Sequence, residues 1–210
     1  RRARRSDDLG WIGMLGSAGW GDAVVIVPWQ LHAIYGDEDV LEELWPAMVR
    51  WVDFALDIAR TRRHPSRVER RSEPAPHEQF LWDGGWQWGE WLEPGTPDQP
   101  FWEADQGHVA TAYLHRSCVL MTRIARLLER SADVARYAEL ADATLHAWRT
   151  EYLAADGGLT PDTQATHVRA LAFGLVPDEL RAQVTARLVQ LVREADDHLS
   201  TGFLATARRL

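Results

Sequence analysis

Apolar residues recur at helical spacing along most of this chain, and the pattern predicts paired helices. Residues 22–35 are almost wholly apolar, which predicts a helix that is buried on nearly all sides and kinked at Pro28. Helical periodicity resumes after Pro46 and again from Asp105. We predict three helical hairpins and the beginning of a fourth at Thr201; the hairpins span residues 22–60, 105–153 and 161–195.

Glycine and proline mark the expected ends of these helices. Asp37 is placed to cap a short helix, and Pro46 is expected to start a separate, longer one. In the third hairpin, Pro161 is expected at the first helical position and Gly174 directly after the last. No segment convincingly predicts a strand, so the fold class is expected to be all-α.

The two helices of each pair differ in polarity. The first is apolar or mixed, whereas the second carries a charged outer face, as in residues 178–194. An inner and an outer ring of helices would produce this contrast. The alternative is a helical solenoid that serves as a protein-interaction scaffold, but the hairpins share no fixed sequence period.

A proline- and tryptophan-rich segment separates the first two hairpins. Residues 61–104 hold six of the ten prolines and five of the eleven tryptophans, which predicts a long loop. Its first part, 61–77, is arginine-rich and expected to be mobile. The second part, 78–104, is expected to be ordered, because tryptophans disfavour disorder.

Residues 80–95 combine four tryptophans with two glutamates and an aspartate. Indole rings stack on the C–H face of a pyranose, while carboxylates accept hydrogen bonds from its hydroxyls and can transfer protons. Because one loop contains both residue types, together with several glycines, the pattern favours a sugar-binding site. The alternative is a loop whose tryptophans only fix it to the domain.

Charge and composition narrow the classes of function. The net charge of -8 argues against a nucleic-acid surface, which needs clustered lysines and arginines. No run of eighteen apolar residues predicts a membrane helix, and no signal segment is recognisable, so we expect a soluble protein and favour the cytoplasm. The histidines lack metal-ligand spacing and Cys118 is the single cysteine, so no metal or cofactor is expected.

Several short blocks closely resemble, in order, the signature of the bacterial α-L-rhamnosidases that have a six-hairpin toroid. The match covers nearly everything from residue 16 to residue 206. The blocks are GSAGWGDA at 16–23, VPW at 27–29, YGD at 35–37, RWVD at 50–53, WGEWLEPG at 88–95, VATAY at 109–113, PDTQA at 161–165 and TGFLAT at 201–206.

The resemblance implies part of an (α/α)6 toroid whose family hydrolyses terminal α-L-rhamnosyl residues with inversion. Inversion requires two carboxyl groups about 6.5–9.5 Å apart, on either side of the sugar. By resemblance, Trp20, Trp88 and Trp91 are expected to form the walls of the sugar pocket. Asp22 and Glu90 are expected to bind hydroxyls or to support the acid. Asp22 also suits a helix N-cap.

The chain departs from the family at its catalytic residues. The family's general acid is a glutamate in a motif like RDERLGWTGD. Residues 5–14 resemble this motif weakly; in that alignment, Asp7 takes the position of the acid glutamate and Met14 that of an aspartate. The general base is expected beyond Leu210. We therefore expect a fragment that binds a rhamnose-containing glycoside or oligosaccharide, with self-association at its open edges. The alternative is a non-catalytic carbohydrate-binding remnant.

Overall fold

The computed structural model describes residues 16–94 and 104–206, and within them it confirms the all-α prediction. The only β-type pairing in these ranges is an isolated bridge between Leu153 and Leu159. The helices are α1 Ala23–Tyr35, α2 Asp39–Thr61, α3 Pro65–Arg70, a 3₁₀-helix Pro76–Phe80, α4 Gly107–Leu127, α5 Ser131–Tyr152, α6 Gln164–Ala172, α7 Asp178–Glu194 and α8 Phe203–Thr206.

Helices that follow one another in the chain pack together as pairs. The most extensive contacts join α4 to α5, α1 to α2 and α6 to α7. Helix α4 lies at the centre, because it also contacts α1, α2 and α6. Most of its side chains are buried, including Leu120, Met121 and Ile124. This central helix is what brings the first and third pairs into one core.

Helix α2 continues through Pro46, so the predicted break at that residue is wrong. A proline in the second turn removes one backbone N–H from the helical ladder. The apolar face continues across it, with Leu41, Trp45, Met48 and Val52 all buried. Burial of this face outweighs the lost hydrogen bond.

The third pair begins later than the sequence indicates. Helix α6 starts at Gln164 rather than at Pro161, and its N-cap is Thr163, whose side chain accepts a hydrogen bond from the backbone N–H of Thr166 at 3.3 Å. This cap satisfies one of the free donors of the first turn. Gly174 follows the helix in the left-handed conformation, with φ +69°, as glycine at this position commonly does.

Helix α1 is much less buried than its composition predicts. Only Val25 and Pro28 are fully buried within it. Four large apolar side chains form an exposed strip along the other face, which we call the α1 strip: Val27 (52% exposed), Leu31 (37%), Ile34 (67%) and Tyr35 (75%). The first pair therefore leaves an apolar face uncovered among the described residues.

The arginine-rich segment forms an ordered ion-pair network, rather than the expected mobile loop. Arg67 is buried, pairs with Asp83, and lies 2.8 Å from Glu151 on α5. Arg63 and Arg71 both pair with the buried Glu78. Burial of these charges is tolerated because each one has an oppositely charged partner. The network fixes α3 and the 3₁₀-helix to α5.

Candidate functional site

Three segments converge at the end of the molecule where α1 begins: residues 16–22, 86–94 and 201–206. The first two are joined by hydrogen bonds through Gln87 and Ser17. The backbone N–H of Ala18 donates to Gln87 Oε1 at 2.9 Å, and the backbone N–H of Trp88 donates to Ser17 Oγ at 2.9 Å. Gln87 and Ser17 are both buried, so these bonds hold the two segments in a fixed register.

The third segment packs directly on the backbone of the second. The backbone N–H of Phe203 donates to the carbonyl of Trp91 at 2.8 Å. A Cβ on Gly202 would lie 2.5 Å from that carbonyl oxygen and 2.6 Å from the carbonyl oxygen of Glu90. Only a glycine permits this approach without a backbone shift, which explains the glycine in the block at 201–206.

Four aromatic rings gather where these segments meet, and we call them the aromatic cluster: Trp20, Trp88, Trp91 and Phe203. Trp20 stacks on Phe203 with ring centroids 4.7 Å apart and planes inclined by 9°. Trp91 lies 5.9 Å from both Trp20 and Trp88. Trp91 and Phe203 are 37% and 53% exposed, so the cluster offers aromatic surface to solvent. Such surface suits stacking against a sugar ring.

The remaining tryptophans of this loop have a different role. Trp82 is buried, packs against Trp51 at 5.8 Å, and its backbone N–H donates to Thr111 Oγ1 on α4. Trp86 lies 5.5 Å from Trp88 and is half-buried. The loop is thus anchored to the core by one tryptophan while another, Trp91, remains accessible.

The Asp22 side chain is completely buried, and protein donors surround its carboxylate. It accepts hydrogen bonds from the backbone N–H of Gly19 at 2.8 Å, from Trp51 Nε1 at 3.0 Å and from Ser117 Oγ. Burial raises the pKa of Asp22, and these three donors oppose that rise. Asp22 occupies the N-cap position of α1, but its carboxylate makes no capping bond. It ties the first segment to α2 and α4.

Glu90 is held in a separate polar site. One carboxylate oxygen pairs with Arg169 on α6, and the other accepts a hydrogen bond from the backbone N–H of Ala205 at 2.7 Å. Both charged side chains are almost fully buried, at 4% and 2% exposure. Glu90 therefore links the second segment to α6 and to the third segment. Among residues 16–94 and 104–206, Asp22 and Glu90 have no hydrogen-bond partner in common, and their role in binding sugar hydroxyls stays a prediction.

Sequence reasoning missed three residues that shape the site. Arg169 and Gln87 lie far from each other in the sequence and gave no local signal. Phe203 lies inside the block at 201–206 that resembles the family, and this resemblance was the one signal that could have pointed to it. Glu93, beside Glu90 in the sequence, is a further carboxyl; burial raises its pKa and a hydrogen bond with Thr163 opposes the rise. Asp7 lies outside the described residues.

One group within 16–94 and 104–206 has metal-ligand chemistry. His77, Glu78 and Glu151 place ligand atoms within 4.8 Å of one another. Arginines already neutralise the two carboxylates: Arg71 pairs with both of them. This positive charge opposes a cation, so the group fits the ion-pair network better than a metal site. In the part of the chain that the structure describes, no helix is long and apolar enough to cross a bilayer.

Comparison with known proteins identifies one family. The family model of the bacterial α-L-rhamnosidase six-hairpin glycosidase domain matches residues 10–209. The α-L-rhamnosidase of Streptomyces avermitilis is 38% identical over 201 residues, which cover 95% of this chain and 17% of that protein. The α-L-rhamnosidase of Alteromonas sp. (strain LOR) is 30% identical over 197 residues, covering 90% of this chain and 19% of that protein.

Solved structures give the same result. The crystal structure of Streptomyces avermitilis α-L-rhamnosidase complexed with L-rhamnose matches with a TM-score of 0.74 at 36% identity, covering 92% of this chain and 16% of that one. Native α-L-rhamnosidase from Aspergillus terreus matches with a TM-score of 0.74 at 28% identity, covering 91% and 21%. The chain thus spans about a fifth of the length of these relatives.

Proposed function

The chain belongs to the bacterial α-L-rhamnosidase six-hairpin glycosidase family, and from this premise we propose that it forms part of a sugar-binding face that recognises a terminal α-L-rhamnosyl residue. The proposed ligand is a rhamnose-containing glycoside or oligosaccharide. The complete protein is proposed to hydrolyse that glycoside with inversion.

The convergence of Trp20, Trp88 and Trp91 is the observation that carries this proposal. Indole faces bind the apolar face of a pyranose, and Trp20 reaches this cluster from a segment far in sequence from Trp88 and Trp91. A loop held by its tryptophans alone would bury all of them, as it buries Trp82. Trp91 is exposed and is the proposed main stacking surface.

The two carboxylates next to this surface are proposed to act mainly as supports. Asp22 and Glu90 accept hydrogen bonds from protein donors, and each one ties a different segment to the helices beneath. Hydroxyl binding by either would use lone pairs left over from these bonds. A sugar site gains affinity when such supports hold its walls before the ligand arrives.

Hydrolysis with inversion needs two further groups. A carboxylic acid protonates the leaving oxygen, and a carboxylate on the opposite face activates a water molecule. By resemblance, Asp7 stands at the position of the acid, and the base is expected from a segment not included in these 210 residues. We propose that this chain by itself binds the sugar and turns it over very slowly, because loss of acid–base participation costs about 10²–10⁴-fold per group.

Two measurements test the proposal. Free L-rhamnose should quench the tryptophan fluorescence of the chain saturably, whereas a scaffold that binds only proteins would show no saturation. Release of nitrophenol from p-nitrophenyl α-L-rhamnoside should be negligible. Turnover on the order of 1 s⁻¹ would show that the chain holds a complete catalytic pair. It would overturn the proposal that this chain binds the sugar but lacks effective acid–base catalysis.

A further inference from the structure

A basic cleft lies beside the tryptophan-rich loop, outside the aromatic cluster. Its volume is about 740 Å³. The end of α2 and the start of α3 form one wall, and Gly84 and Gly85 form the other. The lining includes Arg62, Arg63 and His64 but no carboxylate. This is unusual for a chain whose net charge is -8.

The two arginines of the cleft differ in whether a carboxylate pairs with them. The guanidinium of Arg63 is occupied, because it pairs with Glu78 at 2.8 Å and donates to the carbonyls of Arg71 and Ser72. Arg62 has no carboxylate within ion-pair distance in the described ranges, and its side chain is exposed at the edge of the cleft. Arg62 therefore brings an uncompensated positive charge to the cleft.

Neighbouring acidic groups do not neutralise this charge. Asp83 directly precedes the glycine wall, but it is buried and its carboxylate pairs with Arg67. Asp105 lies near Arg67 and Arg70. Both of these carboxylates are thus paired with other arginines, and Arg62 pairs with neither.

The glycine wall gives the cleft its shape. A Cβ on Gly84 would lie 2.6 Å from Cβ of Arg62, so a larger residue would push against the arginine's own stem. Gly85 is exposed and has φ +82°, a conformation that L side chains rarely adopt. Neither glycine projects a side chain into the cleft, which leaves room for a ligand.

We propose that this cleft is an anion subsite that binds the oxyanion substituent of an acidic saccharide, a carboxylate or a sulfate ester, through Arg62. The saccharide part of this inference rests on the proposed function, because the cleft and the aromatic cluster share one loop. Gly85 and Trp88 are three residues apart, so their Cα atoms lie within about 11 Å of each other. An acidic unit of the same glycan could reach the cleft while rhamnose lies on the tryptophans.

Isothermal titration of the 210-residue chain with D-glucuronate, D-glucose and inorganic sulfate tests this subsite. D-glucuronate should bind saturably in the millimolar range, and neutral D-glucose should not. Arg62→Gln should weaken glucuronate binding about tenfold or more, because a charge-assisted hydrogen bond is lost. Arg62→Lys should recover part of the affinity, since it restores the charge without the fork geometry.

The matched control is Arg60→Gln, which removes an exposed arginine that lines a different groove, between α2 and α5. It should leave glucuronate binding unchanged. Sulfate binding that also depends on Arg62 would support an oxyanion site. If sulfate then binds more tightly than glucuronate, the preferred substituent is a sulfate ester. No saturable binding of either anion, or equal loss in the Arg60 and Arg62 variants, would overturn the proposal. L-rhamnose titrations of the same samples report on the aromatic cluster separately.

Discussion

At the residue scale, the carboxylate of Glu90 illustrates how this site is built from buried polar groups that pair with distant parts of the chain. It bridges Arg169 on α6 and the backbone N–H of Ala205, two groups that belong to different parts of the chain. A buried pair of this kind adds little net stability by itself, but removal of one partner leaves an uncompensated charge in the interior. The single residue therefore controls how the segments fit together.

We predict that Glu90→Gln lowers the free energy of unfolding by about 3 kcal/mol, because it leaves Arg169 buried without a counter-charge. Urea denaturation at pH 7 measures this loss. Glu194→Gln is the control, since Glu194 pairs with Arg187 at the surface and should cost less than about 1 kcal/mol. Equal, small losses of unfolding free energy in the two variants would show that breaking the buried pair does not destabilise the protein as predicted.

The tryptophan-rich loop could be singled out from residue types alone, and Trp20 only from the family resemblance, but the partners of the carboxylates could not be predicted. Tryptophans grouped with glutamates in one loop point to a sugar site whatever the fold. Arg169 lies 79 positions from Glu90, and nothing local in either segment signals their contact. The sequence also cannot separate an anchoring tryptophan, such as Trp82, from an accessible one, such as Trp91, because the difference is set by packing against α2 and α4.

At the element scale, turns and short helices position the site. The turn before α8 brings Gly202 against the backbone of residues 90–91, and the ion-pair network fixes the segment from α3 to the 3₁₀-helix. Hydrophobic periodicity predicted the long helices well, since each has an apolar face to bury. It missed α3, whose six residues are stabilised by long-range charge pairs rather than by an apolar face.

We predict that Gly202→Ala weakens L-rhamnose binding at least tenfold, because the added Cβ would displace the backbone of Trp91. Gly36→Ala is the matched control. Gly36 ends α1 with φ +70° and has open space around it, so the variant should lose about 1 kcal/mol of stability without a change in binding. Fluorescence titration with L-rhamnose distinguishes the two; a binding loss shared by both variants would contradict a specific role for the turn.

The ion-pair network predicts a loss of stability in acid. Burial opposes ionisation of Glu151, but hydrogen bonding from His77 and ion pairs with Arg67 and Arg71 lower its pKa to about 2, from an ordinary value of 4.5. Because the folded-state pKa lies below the unfolded value, the contribution of Glu151 is fully present above pH 4.5 and is lost as the pH falls toward about 2.

Glu151→Gln should accordingly flatten the acid limb of the stability curve and lower stability at pH 7 by roughly 2 kcal/mol, a figure reduced because the group keeps some contact with solvent. Urea denaturation at several pH values between 3 and 7 measures the slope. Glu139→Gln, at an exposed position on the same helix, is the comparison variant. An unchanged acid limb in the Glu151 variant would show that other carboxyls govern the transition.

At the scale of the whole molecule, the α1 strip is apolar surface that the described part of the chain leaves exposed to solvent. Val27, Leu31, Ile34 and Tyr35 lie at positions that share one face of a helix, and all four are exposed. Exposed apolar surface of this kind promotes association. The matched solved structures are several times longer than this chain, and only about a fifth of each corresponds to it.

We predict that the 210-residue chain forms dimers or larger species in solution through the α1 strip. Light scattering coupled to size-exclusion chromatography should show a concentration-dependent mass above 23.8 kDa. Val27→Glu combined with Ile34→Glu should shift the chain toward the monomer, whereas Ala182→Glu on the exposed face of α7 should not. A monodisperse wild-type monomer that binds no apolar dye would contradict this prediction.

The central claim is that Trp91 and its neighbours form a binding surface for rhamnose, and one comparison tests it most directly. Isothermal titration with L-rhamnose should give saturable binding to the wild-type chain and an affinity at least about tenfold lower for Trp91→Ala, because a stacking plane and its apolar area are lost. Trp29→Ala, which truncates a half-buried tryptophan on α1, should bind like the wild type. Equal affinity in all three proteins, or no saturable binding to the wild type, would contradict the assignment of the sugar site.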